Sequence, residues 1–194
     1  KLGVIPHGPL QKAVQKRKAE YAAGRYCAKK VLEQFGIYDF NIRTGNNRCP
    51  LWPTGLLGSI THTSTQAISV AVCDEKYSYI GVDYEKLIDP ETACSIYAKI
   101  INDNELKLIK MNRVNFSLAL TLMFSAKESI FKALFPHVKR YFDFYSVEMI
   151  RFSILENFFE LKLCEDLTPN LTKGKLFRGH CENHGTHILT LIVI

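Results

Sequence analysis

Apolar side chains recur at spacings of three and four along residues 9–36, which predicts an amphipathic helix that ends at Gly36. Arg17 and Arg25 flank Tyr21 at four-residue steps, so these three side chains share a face at the border of the apolar stripe. An arginine in that position is expected to meet an anion. The alternative, equally compatible with the spacing, is an arginine that extends along the helix into solvent.

The remaining pattern alternates between turn-rich segments and short runs of β-branched and small apolar residues. Residues 41–58 contain repeated Gly, Pro and Asn and predict a loop, and residues 59–62 lead from it into a strand. The predicted strands cover residues 67–73, 79–85, 144–152, 158–164, 175–182 and 186–194. The last two form a predicted hairpin around residues 183–185.

Two further helices are predicted between these groups of strands. One begins at Pro90 with Asp89 as its N-cap, and the other covers residues 115–135 and stops at Pro136. Helix and strands thus occur twice in the same order, which predicts an α+β fold of two related halves. We place these halves at residues 1–88 and 89–194.

The composition, 47% hydrophobic and 23% charged, is that of an ordinary globular protein. No stretch of 18 apolar residues occurs, so no membrane-spanning helix is expected. No signal-peptide pattern is visible at the start, although the first residue is Lys1 rather than Met. The six cysteines include no CxxC spacing, which favours a reduced, cytoplasmic protein.

Positive charge is concentrated at the start of the chain. The net charge is +6, and residues 1–30 hold eight of the 25 basic residues beside one acid, Glu20. A local basic patch of this kind suits an anionic partner, which could be a phosphate group, a nucleic acid, an acidic protein or a membrane surface.

The segment IGVDYE at 80–85 is the first with candidate chemistry. In a strand, Asp83 and Glu85 share a face with Gly81, whereas Tyr84 points to the opposite face. Neighbouring carboxylates repel each other and lose hydration when buried, and a divalent cation such as Mg²⁺ removes that cost. Gly81 would leave room for a ligand. The alternative is a strand whose acids run out into solvent.

The segment FSAKESIFK at 124–132 lies on the predicted apolar helix. Glu128 and Lys132 are four residues apart and share a helical face. In the functional interpretation Glu128 binds the metal and Lys132 binds a phosphate. The alternative is an ordinary ion pair on a solvated face.

Histidines offer weaker signals. His62, among the small hydroxyl residues of SITHT at 59–63, could donate to a phosphate oxygen, although a histidine at a strand end is more often structural. The last hairpin carries residue types that bind zinc, namely His180, Cys181, His184 and His187. Alternation distributes them over both faces, which disfavours a zinc site. The sequence has no phosphate-binding loop, dinucleotide fingerprint or nucleophile elbow.

Together, the two motifs resemble those of 4′-phosphopantetheinyl transferases. GVDYE at 81–85 is similar to the family's GxDxE motif, and FSAKESIFKAL at 124–134 is similar to its second motif, [WF]SxKES(x)₂KA. RKAEYAAGRYCAKKVL at 17–32 and GNNRCPLWPTGLLGSITHT at 45–63 resemble the enterobactin-synthase component D subgroup. The resemblance covers residues 9–135, in the order that the family requires.

The resemblance implies a pseudo-twofold α+β monomer with its active site between the halves. It implies a magnesium ion, with manganese as an alternative, held by Asp83, Glu85 and Glu128. It implies contacts with coenzyme A from Lys132 and His62 and, more loosely, from Arg17, Arg25 and Arg48, and we expect Thr61 to join them. Phe124 stands where the family often has Trp, which should affect packing rather than chemistry.

The reaction implied is attack by a carrier-protein serine on the β-phosphate of coenzyme A, with release of 3′,5′-ADP. Glu128, directly or through a water, is the candidate base, and Lys132 is the second catalytic candidate. The implied partner is an acidic carrier domain: a peptidyl or aryl carrier of nonribosomal peptide or siderophore synthesis, or an acyl carrier protein.

Three rival functions remain. A nucleic-acid-binding protein would suit the pI of about 9.0, but the basic excess is local and no aromatic–basic motif appears, so we expect no nucleic acid partner. A metal-dependent phosphohydrolase could use the same acids and lysine. A non-catalytic module could bind coenzyme A without transferring any group.

Overall fold

The computed structural model describes residues 12–45, 47 and 49–194, and these form a mixed α+β fold as predicted. The helices are α1 (Gln15–Gln34), α2 (Pro90–Ile96), α3 (Asp103–Asn112) and α4 (Phe116–Val138). The strands are β1 (Arg43–Thr44), β2 (Pro50–Leu51), β3 (Leu56–His62), β4 (Ala67–Cys73), β5 (Ile80–Lys86), β6 (Val147–Ser153), β7 (Phe158–Leu163), β8 (Leu176–Asn183) and β9 (His187–Val193). No helix in this described part is long and apolar enough to cross a membrane.

Helix α1 packs on the antiparallel hairpin of β3 and β4. Ala28 and Leu32 form a small core with Leu56, because the helical spacing of four places them on one face. The predicted helix is confirmed with shorter bounds: it begins at Gln15 and ends at Gln34, and Gly36 follows in a turn with a φ of +74°, which glycine adopts readily. The prediction of a loop up to residue 58 was wrong at its end, since β3 begins at Leu56 and pairs there with β4.

The second group of strands forms a five-stranded antiparallel sheet in the order β5-β9-β8-β7-β6. Helix α4 lies across β5 and β9 and supplies much of the main core, including the fully buried Leu120, Met123 and Ile130. Strand β5 precedes the division predicted near residue 88, yet it pairs along its whole length with β9. The two-halves division at that residue stays a prediction.

Side-chain hydroxyls join β3 to β5. The backbone N–H of Val82 donates to Ser59 Oγ at 3.1 Å, and that of Tyr84 donates to Thr61 Oγ1 at 3.2 Å. These amides point away from β9 and would otherwise be buried without a partner. The hairpin next to α1 is therefore held directly against the strand that carries the candidate carboxylates.

Two helical predictions need correction. Helix α4 does not stop at Pro136 but continues to Val138, because a proline in the last turn removes a single helical hydrogen bond. Helix α3 was not predicted, although Asn102 and Glu105 form a capping box at its start. The predicted N-cap at Asp89 is confirmed, since its side chain accepts from the amide of Thr92.

Candidate active site

Asp83 lies in β5 against α4, and both of its carboxylate oxygens are engaged. Its side chain is 2% exposed. Oδ1 accepts from Lys132 Nζ at 2.6 Å and from Thr61 Oγ1 at 3.2 Å, and Oδ2 accepts from Ser125 Oγ at 2.8 Å. The ammonium of Lys132 thus compensates the buried charge. The alternative in which the acids of this strand run out into solvent is wrong for Asp83.

Gly81 lets α4 approach β5. A Cβ at this position would lie 1.9 Å from the carbonyl oxygen of Ser129 and 2.8 Å from the amide nitrogen of Ala133, both in the α4 backbone. The expectation that Gly81 leaves room for a ligand was therefore wrong, because the backbone of α4 fills the space beside it. The close approach brings Ser125 and Lys132 within reach of Asp83.

Glu85 and Glu128 flank Asp83 and are half-buried. Burial, followed by the charge of Asp83, raises the pKa of Glu85 to about 7. Burial and the same Asp83 charge raise the pKa of Glu128, whereas Lys132 opposes both shifts. The site therefore carries more carboxylate than its lysine compensates. Lys132 pairs with Asp83 rather than with Glu128, so the alternative of an ordinary Glu–Lys pair on a solvated face is wrong.

The three carboxylates suit a cation, although they are not arranged as a coordination shell. Within residues 12–45, 47 and 49–194, no three His, Cys, Asp or Glu side chains are placed to hold a metal ion. Three carboxyl groups nevertheless lie beside one lysine, and burial followed by the charge of Asp83 raises the pKa of Glu85. Carboxylate oxygens are the ligands that Mg²⁺ prefers. The donor set therefore fits a divalent cation that would take over the charge compensation that Lys132 now provides.

His62 ends β3 near this carboxylate group. Burial lowers the pKa of its ring, Glu20 raises it, and the cationic Arg17, Lys132 and Arg25 lower it further. The ring is thus held neutral at physiological pH and keeps one N–H donor. Arg17 is exposed on α1, on the same side as His62.

Arg25 braces the segment after α1. Its Nε donates to the carbonyl oxygen of Ile42 at 2.9 Å, and its Nη2 donates to Thr44 Oγ1 at 3.2 Å. The guanidinium also lies over the ring of Tyr21, with Cζ 4.8 Å from the centroid. Burial lowers the pKa of Arg25. These contacts leave some N–H groups for an anion, and Arg48, predicted to bind the nucleotide part, lies outside the described residues.

Thr61, expected among the coenzyme A contacts, is buried, and its hydroxyl is already committed. Thr61 Oγ1 accepts from the amide of Tyr84 and donates to Asp83. Its side chain therefore acts on the carboxylate, and a direct contact with coenzyme A stays a prediction.

Three residues to which the sequence analysis assigned no role make buried hydrogen bonds in or next to the candidate site. Lys127 is 2% exposed and donates to Glu105 Oε2, and Ser125 and Thr190 are fully buried around Asp83. A charged residue inside an apolar helix was the available signal for Lys127. No local signal marks Thr190, because its contact joins residues 65 positions apart.

The histidines of the last hairpin make other contacts. The Nε2 atoms of His180 and His184 lie 3.0 and 3.1 Å from the two carboxylate oxygens of Glu182. The ring of His187 stacks on Tyr84 with centroids 4.8 Å apart.

An apolar cleft opens beside Glu128. It is lined mainly by aromatic side chains, namely Phe131, Tyr141, Phe142 and Phe144. Lys127, Glu128, Asp143 and Val147 complete its lining. The cleft is small, with a volume of about 40 Å³, and charged side chains line it beside the aromatic ones.

Comparison with known proteins identifies the family. A family model described as the 4′-phosphopantetheinyl transferase superfamily matches residues 79–185, more than half of the chain. The chain belongs to this superfamily. A second model, the N-terminal domain of 4′-phosphopantetheinyl transferases, matches residues 6–72. The first matched range contains β5 with Asp83, and the second contains α1 and β3.

Several curated transferase-family relatives are similar to the chain. Enterobactin synthase component D of Salmonella typhimurium is 41% identical over 136 residues, which cover 68% of this chain and 54% of the relative. The Escherichia coli K12 protein of the same name is 41% identical over 130 residues, covering 66% and 61%. The 4′-phosphopantetheinyl transferase PptT of Mycobacterium tuberculosis is 26% identical over 144 residues, covering 70% and 59%. The chain thus spans little more than half the length of these relatives.

Proposed function

We propose that the chain transfers the 4′-phosphopantetheine arm of coenzyme A to a serine of an apo carrier protein. The observation that carries this proposal is the buried Asp83, with Glu85 and Glu128 beside it and Lys132 as its cation. A surplus of carboxylate next to a lysine and a histidine suits a metal–pyrophosphate complex. Membership of the superfamily supports this interpretation.

Asp83, Glu85 and Glu128 are the residues that would hold Mg²⁺, or Mn²⁺ in its place. The ion would neutralise charge on the pyrophosphate during transfer. Lys132 is well placed to exchange its carboxylate partner for a phosphate oxygen, since its side chain is 27% exposed and Asp83 would gain the divalent charge. The lysine would thus carry positive charge to the group that is attacked.

The other cationic and donor groups would hold the nucleotide end of coenzyme A. His62, neutral because of its lowered pKa, would donate its N–H to a phosphate oxygen. Arg17 and the remaining N–H groups of Arg25 would contact the 3′-phosphate, together with Arg48.

Glu128 is the proposed base. The carrier serine oxygen attacks the β-phosphorus, the bond to the bridging oxygen breaks, and 3′,5′-ADP leaves, while the serine proton passes to Glu128 directly or through a water. In the metal-free protein burial and the charge of Asp83 raise the pKa of Glu128, and a bound cation would lower it again, which would keep the carboxylate ionised and able to accept a proton. A carboxylate that serves as both base and metal ligand must change its contact during turnover.

The partner would be an acidic carrier domain, steered by the basic residues 1–30. The names of the relatives favour a peptidyl or aryl carrier of siderophore synthesis, and an acyl carrier protein is the alternative. We also propose that the protein acts as a monomer in the cytoplasm.

Intact-mass spectrometry of an apo peptidyl carrier protein, incubated with this protein, coenzyme A and Mg²⁺, tests the proposal. The expected result is a mass gain of one phosphopantetheine that disappears with EDTA. Coenzyme A binding without a mass gain on peptidyl, aryl or acyl carriers would instead indicate a non-catalytic binding module. Phosphate release from coenzyme A without any carrier would indicate a phosphohydrolase.

A further inference from the structure

Asp83 receives a hydrogen-bond chain from two buried hydroxyls. Ser125 Oγ donates to Asp83 Oδ2 at 2.8 Å, and Thr190 Oγ1 lies 2.9 Å from the same serine oxygen. Ser125 and Thr190 each have 0% exposure. Fully buried hydroxyls are costly to place in a core unless each has a hydrogen-bond partner.

The direction of this chain follows from the proton count. A carboxylate accepts only, so the single hydroxyl proton of Ser125 is committed to Asp83. The Ser125–Thr190 contact therefore requires Thr190 to donate. The chain runs from Thr190 to Ser125 to Asp83, and each bond polarises the next one.

The positions of these residues come from two separate elements. Thr190 is the β9 residue directly opposite Asp83 in the sheet, and Ser125 reaches the carboxylate from α4. The close packing permitted by Gly81 brings the helix near enough for this contact. Ser125 from the helix holds Oδ2 directly and Thr190 from the strand holds Ser125, so this oxygen is already hydrogen-bonded before any ligand binds.

We propose that Ser125 and Thr190 are positioning residues that orient Asp83 for a divalent cation. This inference rests on the proposed metal role of Asp83. Removing a group that hydrogen-bonds a metal ligand typically weakens metal binding about 10-fold to 100-fold. Neither hydroxyl touches the cation itself, and Asp83 transmits the effect.

The test is a Mn²⁺ titration of the full chain, without carrier protein, by calorimetry in the presence and absence of coenzyme A. We expect Ser125→Ala to weaken Mn²⁺ binding about 10-fold to 100-fold, and Thr190→Val to weaken it by a smaller factor of the same sign. Thr190→Ser keeps the donor and should restore wild-type affinity.

Matched controls separate positioning from stability. Ser129 is equally buried in α4 but donates to Ala126 O in its own helix, and Thr121 bonds Ser117 O and the amide of Ile88. Ser129→Ala and Thr121→Val should lower the melting temperature without changing Mn²⁺ affinity. If Ser125→Ala and Thr190→Val bind Mn²⁺ as tightly as the controls do, the positioning role is overturned.

The failure of the metal role would look different. If the wild-type protein bound no Mn²⁺ even with coenzyme A present, the proposed function itself would be contradicted, and the positioning role with it. If the wild-type protein bound Mn²⁺ and the Ser125→Ala and Thr190→Val variants bound it equally tightly, only the positioning role would be overturned. Should Ser125→Ala fail to fold, the comparison of Thr190→Val with Thr190→Ser still decides the question.

Discussion

Helix α4 carries two lysines that each pair with a buried carboxylate. The two pairs differ in how far they are buried and in how many of their hydrogen-bonding groups are used. Lys127 meets Glu105 at 2.8 Å with side-chain exposures of 1% and 0%, whereas Lys132 meets Asp83 at 2.6 Å with exposures of 27% and 2%. All three N–H groups of Lys127 are used, by Glu105 and by the carbonyl oxygens of Ile100 and Phe144. This pair, the closed pair, is shielded from solvent, and its ammonium has no N–H group left for a ligand.

The acceptor side of the closed pair is filled as well. Glu105 Oε1 accepts from the amide of Met149 at 2.8 Å, and Oε2 accepts from that of Asn102 at 3.0 Å in addition to Lys127. One positive and one negative charge therefore balance, and the pair ties α4 to α3 and β6. Its role is structural.

The Lys132–Asp83 pair, the open pair, lacks this balance of charge. Glu85 and Glu128 add negative charge beside Asp83, and Lys132 remains partly exposed. A buried carboxylate with surplus acid around it and a lysine that can move is typical of a ligand site. The comparison shows that burial of a charge does not by itself indicate function, and that its incomplete compensation is the more informative sign.

The largest expected effect comes from breaking the closed pair. Lys127→Met leaves Glu105 charged and buried without a cation, which should lower the free energy of unfolding by about 3–5 kcal/mol. Urea unfolding monitored by circular dichroism measures this loss. The double variant Lys127→Met with Glu105→Gln removes both charges and should recover part of it. A loss below about 1 kcal/mol, the range of exposed pairs, would contradict the structural role.

Breaking the open pair should have a smaller effect that a metal can reverse. Lys132→Met leaves Asp83 with two hydroxyl donors and should lower the free energy of unfolding by about 1–3 kcal/mol. Mg²⁺ should raise the melting temperature of this variant more than that of wild type, because it replaces the missing charge. For Lys127→Met, the rise in melting temperature caused by Mg²⁺ should equal that of wild type. An equal response of the two variants to Mg²⁺ would remove the distinction between the pairs.

The smallest effect is a pH dependence confined to the open pair. Glu85 has a pKa of about 7 in the folded protein, above its ordinary value of 4.5, so the folded state binds the proton more tightly. Its contribution to stability is therefore fully present below pH 4.5 and is lost as pH rises through about 7.

Metal-free protein should accordingly become less stable between these pH values, and Glu85→Gln should flatten the profile. Glu128, whose pKa is also raised, contributes with the same sign. Thermal unfolding across the pH range, with EDTA present, measures the slope. A wild-type profile that Glu85→Gln leaves unchanged would count against the assigned pKa.

Local sequence pattern predicted the part of the site that one strand or one helix carries. The alternation in β5 placed Asp83 beside Glu85, and the four-residue helical step placed Glu128 beside Lys132. The pairing of Lys132 with Asp83 could not be predicted in the same way, since it depends on how closely α4 packs on β5. That distance is set by Gly81, whose role was assigned wrongly to a ligand.

Long-range partners were the main omission. Thr190 faces Asp83 only through the register of β9 against β5, and Glu105 reaches Lys127 only through the docking of α3. Helix α3 itself was missed, although Asn102 and Glu105 form a capping box at its start. The α+β class survived these omissions, since it depends on the order of elements rather than on their contacts.

The most direct measurement is an anomalous difference map from a crystal of the protein grown with Mn²⁺ and coenzyme A. The account predicts a manganese peak bound by Asp83, Glu85 and Glu128, with Lys132 moved from Asp83 to a phosphate oxygen. It also predicts that the Glu105–Lys127 pair is unchanged. A manganese peak elsewhere, or a bound coenzyme A with Lys132 still on Asp83 and no metal beside it, would contradict the account.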